Sequence, residues 1–548
     1  MTANSDRTHK SLAAPLVFHT IASVFRRVVQ IAFVLLAFVA HAADTRMTSN
    51  EVAQVIAQAI ARAQQIEPDA VIAVVDREGF VLGVWSVNGA APDPIDLLDA
   101  ITKAGTASFL SSDQHAFTSR TAGFIVQQHF PPAIKNRPPG PLVGVNFSNM
   151  SFTDVNRFKN PHADFDALSL LGGTNGAPIS GPAPLTGLAG SPGGVPLFRD
   201  RRLIGGIGVA GKTRATPDNP LPPLADIQSR QSYDPDEDVA LAGQRGFTPP
   251  ETVLGSLVFL DGIRAAYIHS KTKSASASPL GSVGAVVAPY LVIESPVVEY
   301  PTNTFDGQLC EIRSPIFDDP MAGSIDGEAR LSDSEVRQIL SQASARAKKT
   351  RAGIRLPRGQ AAQVFITVVN NPNTAGTPPA ILGTIRTPGA TIFSWDVAAQ
   401  KARTALFFSD NTRAFSTRTV GFLAQRFFPP GIANRGSGPL LNLQEQFSLL
   451  PAGVRNPLNG VILTTNALSV PDPNVPNGIT IFPGGFPLYR NGVMIGAIGV
   501  SGDGIDQDDI IAAAGTVGFE APAAIRADRV KVRGARLPYA KFPRNPDL

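Results

Sequence analysis

Cysteine is nearly absent, Cys310 being the single one. One thiol excludes an intrachain disulfide and any multi-cysteine metal site, and it reads as a small buried hydrophobe. An excess of charge of one sign is also missing. Lys and Arg number 48 against 44 Asp and Glu, a formal net charge of +4, and no basic run is long enough to track a phosphate backbone. Nucleic acid is therefore not an expected partner. The signatures G-x-S-x-G and H-E-x-x-H do not occur, nor does a Cys/His array, so a hydrolase or metalloenzyme has no positive support. Gly205, Gly206 and Gly208 do not make G-x-G-x-x-G, and close backbone packing accounts for them better than a phosphate loop. What abounds is glycine (50) and proline (47) in 548 residues that are 43% hydrophobic and 17% charged. That composition fits two or more cored domains with long ordered loops or wrapped extensions.

The beginning of the chain reads as an export signal over residues 1–42. Arg26 and Arg27 precede the apolar run Val28 to Ala40, and Ala40-His41-Ala42 is an A-x-A site, so cleavage is expected after Ala42 or Ala43. The run is shorter than the roughly 20 residues that span a bilayer, so no stable membrane span is expected after cleavage. An uncleaved anchor is the alternative. Either way the folded part is expected outside the cytoplasm, periplasmic or secreted, where with one cysteine its stability must come from packing.

The main feature is a duplication. Lys103 to Leu142 and Lys401 to Leu440 align without a gap at a constant offset of 298, with 22 of 40 positions identical. Flanking matches occur in the same order in both halves. MTSNEVAQVIAQAIARA from Met47 pairs with LSDSEVRQILSQASARA from Leu331, PGGVPLFRDRRLIGGIGVAG from Pro192 with PGGFPLYRNGVMIGAIGVSG from Pro483, and DPDEDVALAGQRGF from Asp234 with DQDDIIAAAGTVGF from Asp506. A whole domain is repeated, over 47–267 and 331–540, with 268–330 as an inter-repeat linker containing some strand, expected over Val283 to Val298.

Each repeat opens on a capping box, Thr48 with Glu51 and Ser332 with Glu335. Val52, Val55, Ile56, Ala59, Ile60 and Ala63 then give one apolar helix face. Runs Val71–Val75 and Phe80–Val87 read as a hairpin about Asp76-Arg77-Glu78-Gly79; the second copy has Val364–Val369 and Ile381–Ile385 with a longer connection, and Asn370 in place of Asp76. A helix carrying Lys103 follows, then one from Ser119 to about His129, stopped by Pro131-Pro132 as Pro429-Pro430 stops its twin. A second hairpin turns at Asn491-Gly492 in copy two, the pair a type I′ turn demands. A last helix starts at Asp236-Glu237 and at Asp508-Asp509. Each unit is α-β-β-α-α-β-β-α, and the fold class is α+β: two tandem domains, each an antiparallel sheet flanked by helices.

The succession KAxTAxxF, PGGxPL-[FY]-R, IGGIGVAG or IGAIGVSG, and an acidic start to an Ala/Gly-rich helix resembles the GlcG/HbpS family, the haem-binding-protein-like domain also found at the C-terminus of PduO-type proteins. The resemblance implies a profilin-like sandwich, oligomeric assembly, and haem or corrinoid-related binding in some members; the two copies would form a pseudo-dimer. This chain departs from the pattern in its long Gly/Pro/Asn-rich segments, Val143–Ser191 and Leu441–Phe482, of a length that covers a surface or makes an interface.

The haem implied by that resemblance makes the histidines axial-ligand candidates. His115 aligns with Arg413 and His129 with Phe427, so neither is shared; His162 and His269 are the others in the mature chain. The shared cations are Lys103/Lys401 and Arg120/Arg418. They suit a ligand carboxylate, Arg through paired hydrogen bonds and Lys as a point charge, or else structural ion pairs with the acidic start of the last helix. Asn136-Arg137 and Asn434-Arg435 read as helix-exit turns or binding loops. Three readings stay open: an exported small-molecule binder with haem or another flat carboxylate-bearing ligand, an enzyme on a small organic acid gripped by Lys103 and Arg120, and a scaffold whose long loops bury a partner or a second protomer.

Overall fold

The structure, a computed structural model, describes residues 45–125 (93 excepted), 130, 140, 188–211, 233–443 and 472–548, with interruptions at 261, 272–276, 289, 355, 357–358, 426, 431, 433–434 and 442. The export signal, His129, His162, Asn136-Arg137, Asn434 and most of the two long loops lie outside the described residues.

Repeat 1 runs α1 (Ser49–Ile66), β1 (Val71–Asp76), β2 (Val81–Ser86), α2 (Pro94–Phe109), α3 (Ser119–Ile125), β3 (Gly194–Arg199), β4 (Arg202–Ala210) and α4 (Pro235–Gly243). A short ribbon, β5 (Phe259–Leu260) with β6 (Ile263–Arg264), follows, and then the inter-repeat strands β7 (Ala285–Val286), β8 (Thr302–Phe305) and β9 (Gln308–Ser314). Repeat 2 is α5 (Asp333–Lys349), β10 (Phe365–Asn370), β11 (Ile381–Arg386), α6 (Phe393–Phe407), α7 (Thr417–Leu423), β12 (Gly485–Arg490), β13 (Val493–Ser501) and α8 (Ile505–Gly515), closed by a ribbon of β14 (Lys531–Val532) and β15 (Ala535–Arg536). The expected order of elements is present in both halves.

The two sheets are antiparallel, in the orders β3-β4-β1-β2-β7 and β12-β13-β10-β11-β9-β8. Their equivalence extends to irregularities: the register shifts at Val74/Val75 and Leu197/Phe198 recur at Val368/Val369 and Leu488/Tyr489. Both capping boxes form, with Thr48 and Ser332 accepting from the backbone N–H of Glu51 and Glu335. The hairpin turn of copy two places Asn491 and Gly492 at positive φ, and copy one uses Asp200 and Arg201 for the same turn. Asp76 and Asn370 prove interchangeable: each side-chain oxygen accepts from the backbone N–H that opens the next strand region, Phe80 in one case and Ala380 in the other. A carboxylate and an amide oxygen accept the same backbone bond there.

α1 and α4 pack on one face of the first sheet through Val52, Ile56, Ile60, Ile207 and Val239. α2 covers the other face through Leu97, Ala100, Ile101 and Ala104. Repeat 2 repeats both layers. Gly208 and Gly499 show why the IGGIGV strand carries glycine, since a Cβ there would lie 2.1 Å from Ala100 O and 2.0 Å from Ala398 O. The helix rests directly on the strand backbone.

Two expectations need correction. α7 ends at Leu423, short of Pro429, because the returning chain takes its terminal carbonyls: Leu440 N–H donates to Leu423 O and Gly438 N–H to Gln425 O. Val283–Val298 is not one strand. Only Ala285–Val286 makes a ladder, since Tyr290 N–H turns back onto Val287 O, after which the chain follows β2 with a bond from Ile293 N–H to Leu82 O.

The halves meet through a shared apolar cluster. Repeat 1 contributes Phe109, Leu110, Phe117, Phe124, Ile125 and the ribbon residues Leu260 and Ala265; repeat 2 contributes Phe365, Ala390, Ile392, Trp395 and Phe482. Arg313 of β9 crosses this joint. It lies over the Tyr300 ring at 3.6 Å and donates to Glu78 at 2.7 Å and 3.2 Å. Burial opposes its charge, but Glu78 and Glu311 outweigh that and raise its pKa.

Candidate functional site

The shared lysine of each repeat sits in the middle of its sheet-covering helix and points at the start of the last helix. Lys103 Nζ donates to Val209 O at 2.9 Å and to Asp236 Oδ2 at 2.6 Å; Lys401 Nζ donates to Val500 O and to Asp508 Oδ2, both at 2.7 Å. The Pro-Gly-Gly motif makes this contact possible. Its first glycine has φ near 117° in copy one and 112° in copy two, and a Cβ there would stand 2.8 Å from the Asp236 or Asp508 Cβ. The second glycine's N–H donates to the hydroxyl that opens the short helix, Ser119 in one copy and Thr417 in the other. Strand, short helix and last helix are thereby locked around one lysine.

The shared arginine, on the short helix, holds the neighbouring carboxylate. Arg120 donates through Nε at 2.7 Å and Nη2 at 3.2 Å to Glu237, whose Oε2 also accepts from the His269 and Ser270 backbone N–H groups. Arg418 pairs with Asp509, and its Nη2 with Asp506 at 2.6 Å; Asp509 Oδ2 accepts from Lys541 N–H. The four shared cations thus lie in ion pairs with the acidic start of the last helix, three of the pairs buried and that of Arg418 nearly so. As placed, their charge is met within the chain.

The two centres differ in what surrounds the lysine. Around Lys103 stand Asp99, its α2 neighbour at 2.9 Å, and, with Asp236, the buried Glu67 and the half-buried Asp234. Burial together with Asp236 pushes the Glu67 carboxyl up to about 10, and the same pair of causes brings Asp234 to about 7. Burial also raises Asp99. Burial works against the Lys103 ammonium, yet Asp236 and Asp99 overcome it and its pKa rises. Lys401 is the opposite case. Asp508 offsets only part of its burial, and its pKa falls. Asp99 aligns with Val397, and the residue 284 positions after Glu67 is Arg351, whose guanidinium donates to Asn545 O and Arg544 O on the surface. In repeat 2 the vacated space is a small cavity of about 20 Å³ bounded by Ile354, Phe393, Lys401, Phe482, Gly504 and Asp508, room for about one water.

His115 is buried, with both ring nitrogens engaged: Nδ1 with Ser112 Oγ at 2.9 Å and Nε2 with Leu110 O at 2.8 Å, and its ring meets Phe117 edge-on. His269 is exposed. Neither His115 nor the Lys401 cavity fits a haem, which needs an open ring nitrogen and a slot of several hundred Å³. Cys310 is buried against Ser344, and burial pushes its thiol up to about 11, as suits an inert core residue. Among the described residues no group of three His, Cys, Asp or Glu is arranged to hold a metal ion, and no helix is long and apolar enough to cross a membrane. Reading the sequence missed Glu67 and Asp99. Asp99 had a signal, its i,i+4 spacing to Lys103; Glu67 reaches the centre through the fold alone.

Two α+β repeats, each with a lysine and an arginine locked onto the head of its last helix, define a tandem class. The chain belongs to the family described as "Haem degrading protein HbpS-like", whose model matches residues 47–219 and 331–516. No curated protein sequence matches it significantly. Among solved structures it is similar to a PduOC–haem complex (21% identity, covering 35% of this chain and 96% of that one, TM-score 0.22). It is also similar to Klebsiella pneumoniae protein ORFY (20%, 36% and 96%, TM-score 0.22) and to a double mutant of Streptomyces reticuli HbpS (19%, 36% and 96%, TM-score 0.21).

Proposed function

We propose that this is an exported small-molecule binding protein whose ligand is haem or another flat, carboxylate-bearing molecule. The observation that carries the reading is membership of the HbpS-like family over both repeats; the Arg26-Arg27, Val28–Ala40, Ala40-His41-Ala42 succession supports export. In this reading the buried Lys–Asp and Arg–Glu pairs hold the scaffold in shape, and the ligand's own contacts are made elsewhere. His129, on the segment after α3, is the residue on which a haem ligand turns. Titrating the full chain with haemin and following the Soret band tests it. A shifted band that saturates with protein and weakens in His129→Ala is expected; a free-haemin spectrum at all ratios rejects haem. Finding the chain in a periplasmic or culture-medium fraction, with a new N-terminus at residue 43 or 44, tests export.

A further inference from the structure

The two ribbons are built alike and charged unlike. Ala116 pairs with Leu254 ahead of the first, and Ala414 with Arg526 ahead of the second. The same backbone bonds close both: Val258 N–H to Gly255 O and Ala265 N–H to Val258 O in repeat 1, Val530 N–H to Ala527 O and Leu537 N–H to Val530 O in repeat 2. Residues 254–264 therefore align with 526–536, one for one, about the glycines Gly262 and Gly534. Over that length repeat 1 carries one carboxylate and one cation, Asp261 and Arg264. Repeat 2 carries five cations, Arg526, Arg529, Lys531, Arg533 and Arg536, against Asp528 alone.

Within the chain these charges are mostly unmet. Asp528 is divided between Arg526 at 3.5 Å and Arg536 at 3.3 Å, and among the described residues Arg529, Lys531 and Arg533 form no ion pair. Lys531 faces Arg536 across the ladder, a like-charge pair that weakens the ribbon. At the same place in repeat 1 Phe259 faces Arg264, whose guanidinium lies over the ring at 5.3 Å, a favourable contact. Arg533 holds φ near 49° in the turn, a place that suits Asn, Asp or Gly, so local geometry does not call for a cation there. Its guanidinium donates to Ser437 O, which brings the exposed Arg435 alongside.

The ribbon is two-sided. Val532, Ala535 and Leu537 pack inward with Phe415, Phe422 and Leu423. Outward, where repeat 1 shows Leu257 and Phe259, repeat 2 exposes Arg529, Lys531, Arg533 and Arg536. Two aliphatic side chains are exposed with them: Val530, between Arg529 and Lys531, and Ile432, in the loop that Phe428 N–H closes on Gly436 O.

We propose that the outward side of the second ribbon docks on an anionic phospholipid surface, its cations against headgroup phosphates and Val530 and Ile432 at the acyl boundary. Headgroup phosphates between Lys531 and Arg536 relieve the like-charge pair that weakens the ribbon in water. Aliphatic side chains exposed among cations are taken up by a lipid surface and left unburied by a field of protein carboxylates. The contact makes no use of the proposed small-molecule ligand, so either reading can fail without the other.

Flotation of the full chain with mixed phosphatidylglycerol–phosphatidylcholine vesicles, and with phosphatidylcholine vesicles alone, tests this. The chain should float with the anionic vesicles at low salt, leave them as salt rises, and ignore the neutral ones. The double variant Arg529→Glu/Lys531→Glu, both side chains exposed, should lower partitioning by about tenfold or more. Lys348→Glu/Lys349→Glu, the same charge change at the exposed end of α5, should leave it within about threefold, since screening confines each charge to its own neighbourhood. Both variants should melt as the native chain does. Absence from anionic vesicles at low salt overturns the proposal, as does equal binding to neutral vesicles or an equal loss in the α5 variant. Retention on soluble polyglutamate as strong as on anionic vesicles also overturns it, since the ribbon would then be reading carboxylates without a lipid.

Discussion

Lys103 and Lys401 descend from one position and hold the same two bonds, to a strand carbonyl and to a helix-start aspartate; burial weakens the hold of both on a proton, yet the net shift is upward for Lys103 and downward for Lys401. The cause is the company each keeps. Repeat 1 has gathered Asp99, Asp234 and Glu67 about its lysine, an acidic excess that keeps the ammonium charged and forces one or more carboxyls to hold a proton. In repeat 2 Val397 stands for Asp99, no acid follows the first helix in Glu67's place, a water-sized cavity adjoins the lysine, and Asp506, the counterpart of Asp234, pairs with Arg418. The bare lysine–aspartate pair is evidently enough to close the fold, so the extra carboxylates in repeat 1 are additions to it.

The largest expected effect comes from removing the lysines. Lys103→Met leaves several carboxyls without their cation, and a loss of about 3–5 kcal/mol is expected, the usual cost of breaking a buried pair. Lys401→Met takes from Asp508 its lysine partner beside a cavity with room for a water, and a smaller loss is expected. Urea denaturation of both variants checks the order; a larger loss in repeat 2 would break the comparison. The next effect is on pH dependence. The folded Glu67 carboxyl titrates far above its ordinary value near 4.5, so the native state keeps a proton that the unfolded chain gives up. That contribution is fully present below about pH 4.5 and is lost as pH rises through the window up to about 10. Melting temperature should therefore fall from pH 5 to 9 in the native chain and fall less steeply in Glu67→Gln; parallel profiles would remove Glu67 from the account. The smallest change is Asp99→Val, which makes repeat 1 resemble repeat 2. Lys103 keeps Asp236 and Val209 O, so stability should move by less than about 1 kcal/mol, with a shallower pH profile as the sharper reading.

Much of this was legible in the sequence because it was written twice. Capping boxes, the Asn-Gly turn and the glycine strand are local rules, and finding each at equivalent places in two copies fixed the order of elements and the antiparallel sheets. The pairing of Lys103 and Arg120 with the head of the last helix was visible as one of two options, since all the partners recur. Less was legible where contacts are long-range and unrepeated. Glu67 enters its centre from the end of α1, and no spacing announces that. The ribbon of each repeat survives in sequence as little more than Gly262/Gly534, Arg264/Arg536 and Tyr267/Tyr539, too thin to align unaided, although both glycines adopt positive φ. The joint between the repeats draws on different residues from each copy, and that is a property of packing.

The segment between the repeats lends β7 to one sheet and β8 with β9 to the other. Where the two halves could be parted is thus narrowly set: a cut before Val286 would strip β7 from the first sheet and one after Thr302 would strip β8 or β9 from the second, leaving raw backbone open to strangers, and only the stretch between them spares both borders. A duplication that began as two interchangeable parts has, through its connector, given each part a border of its own.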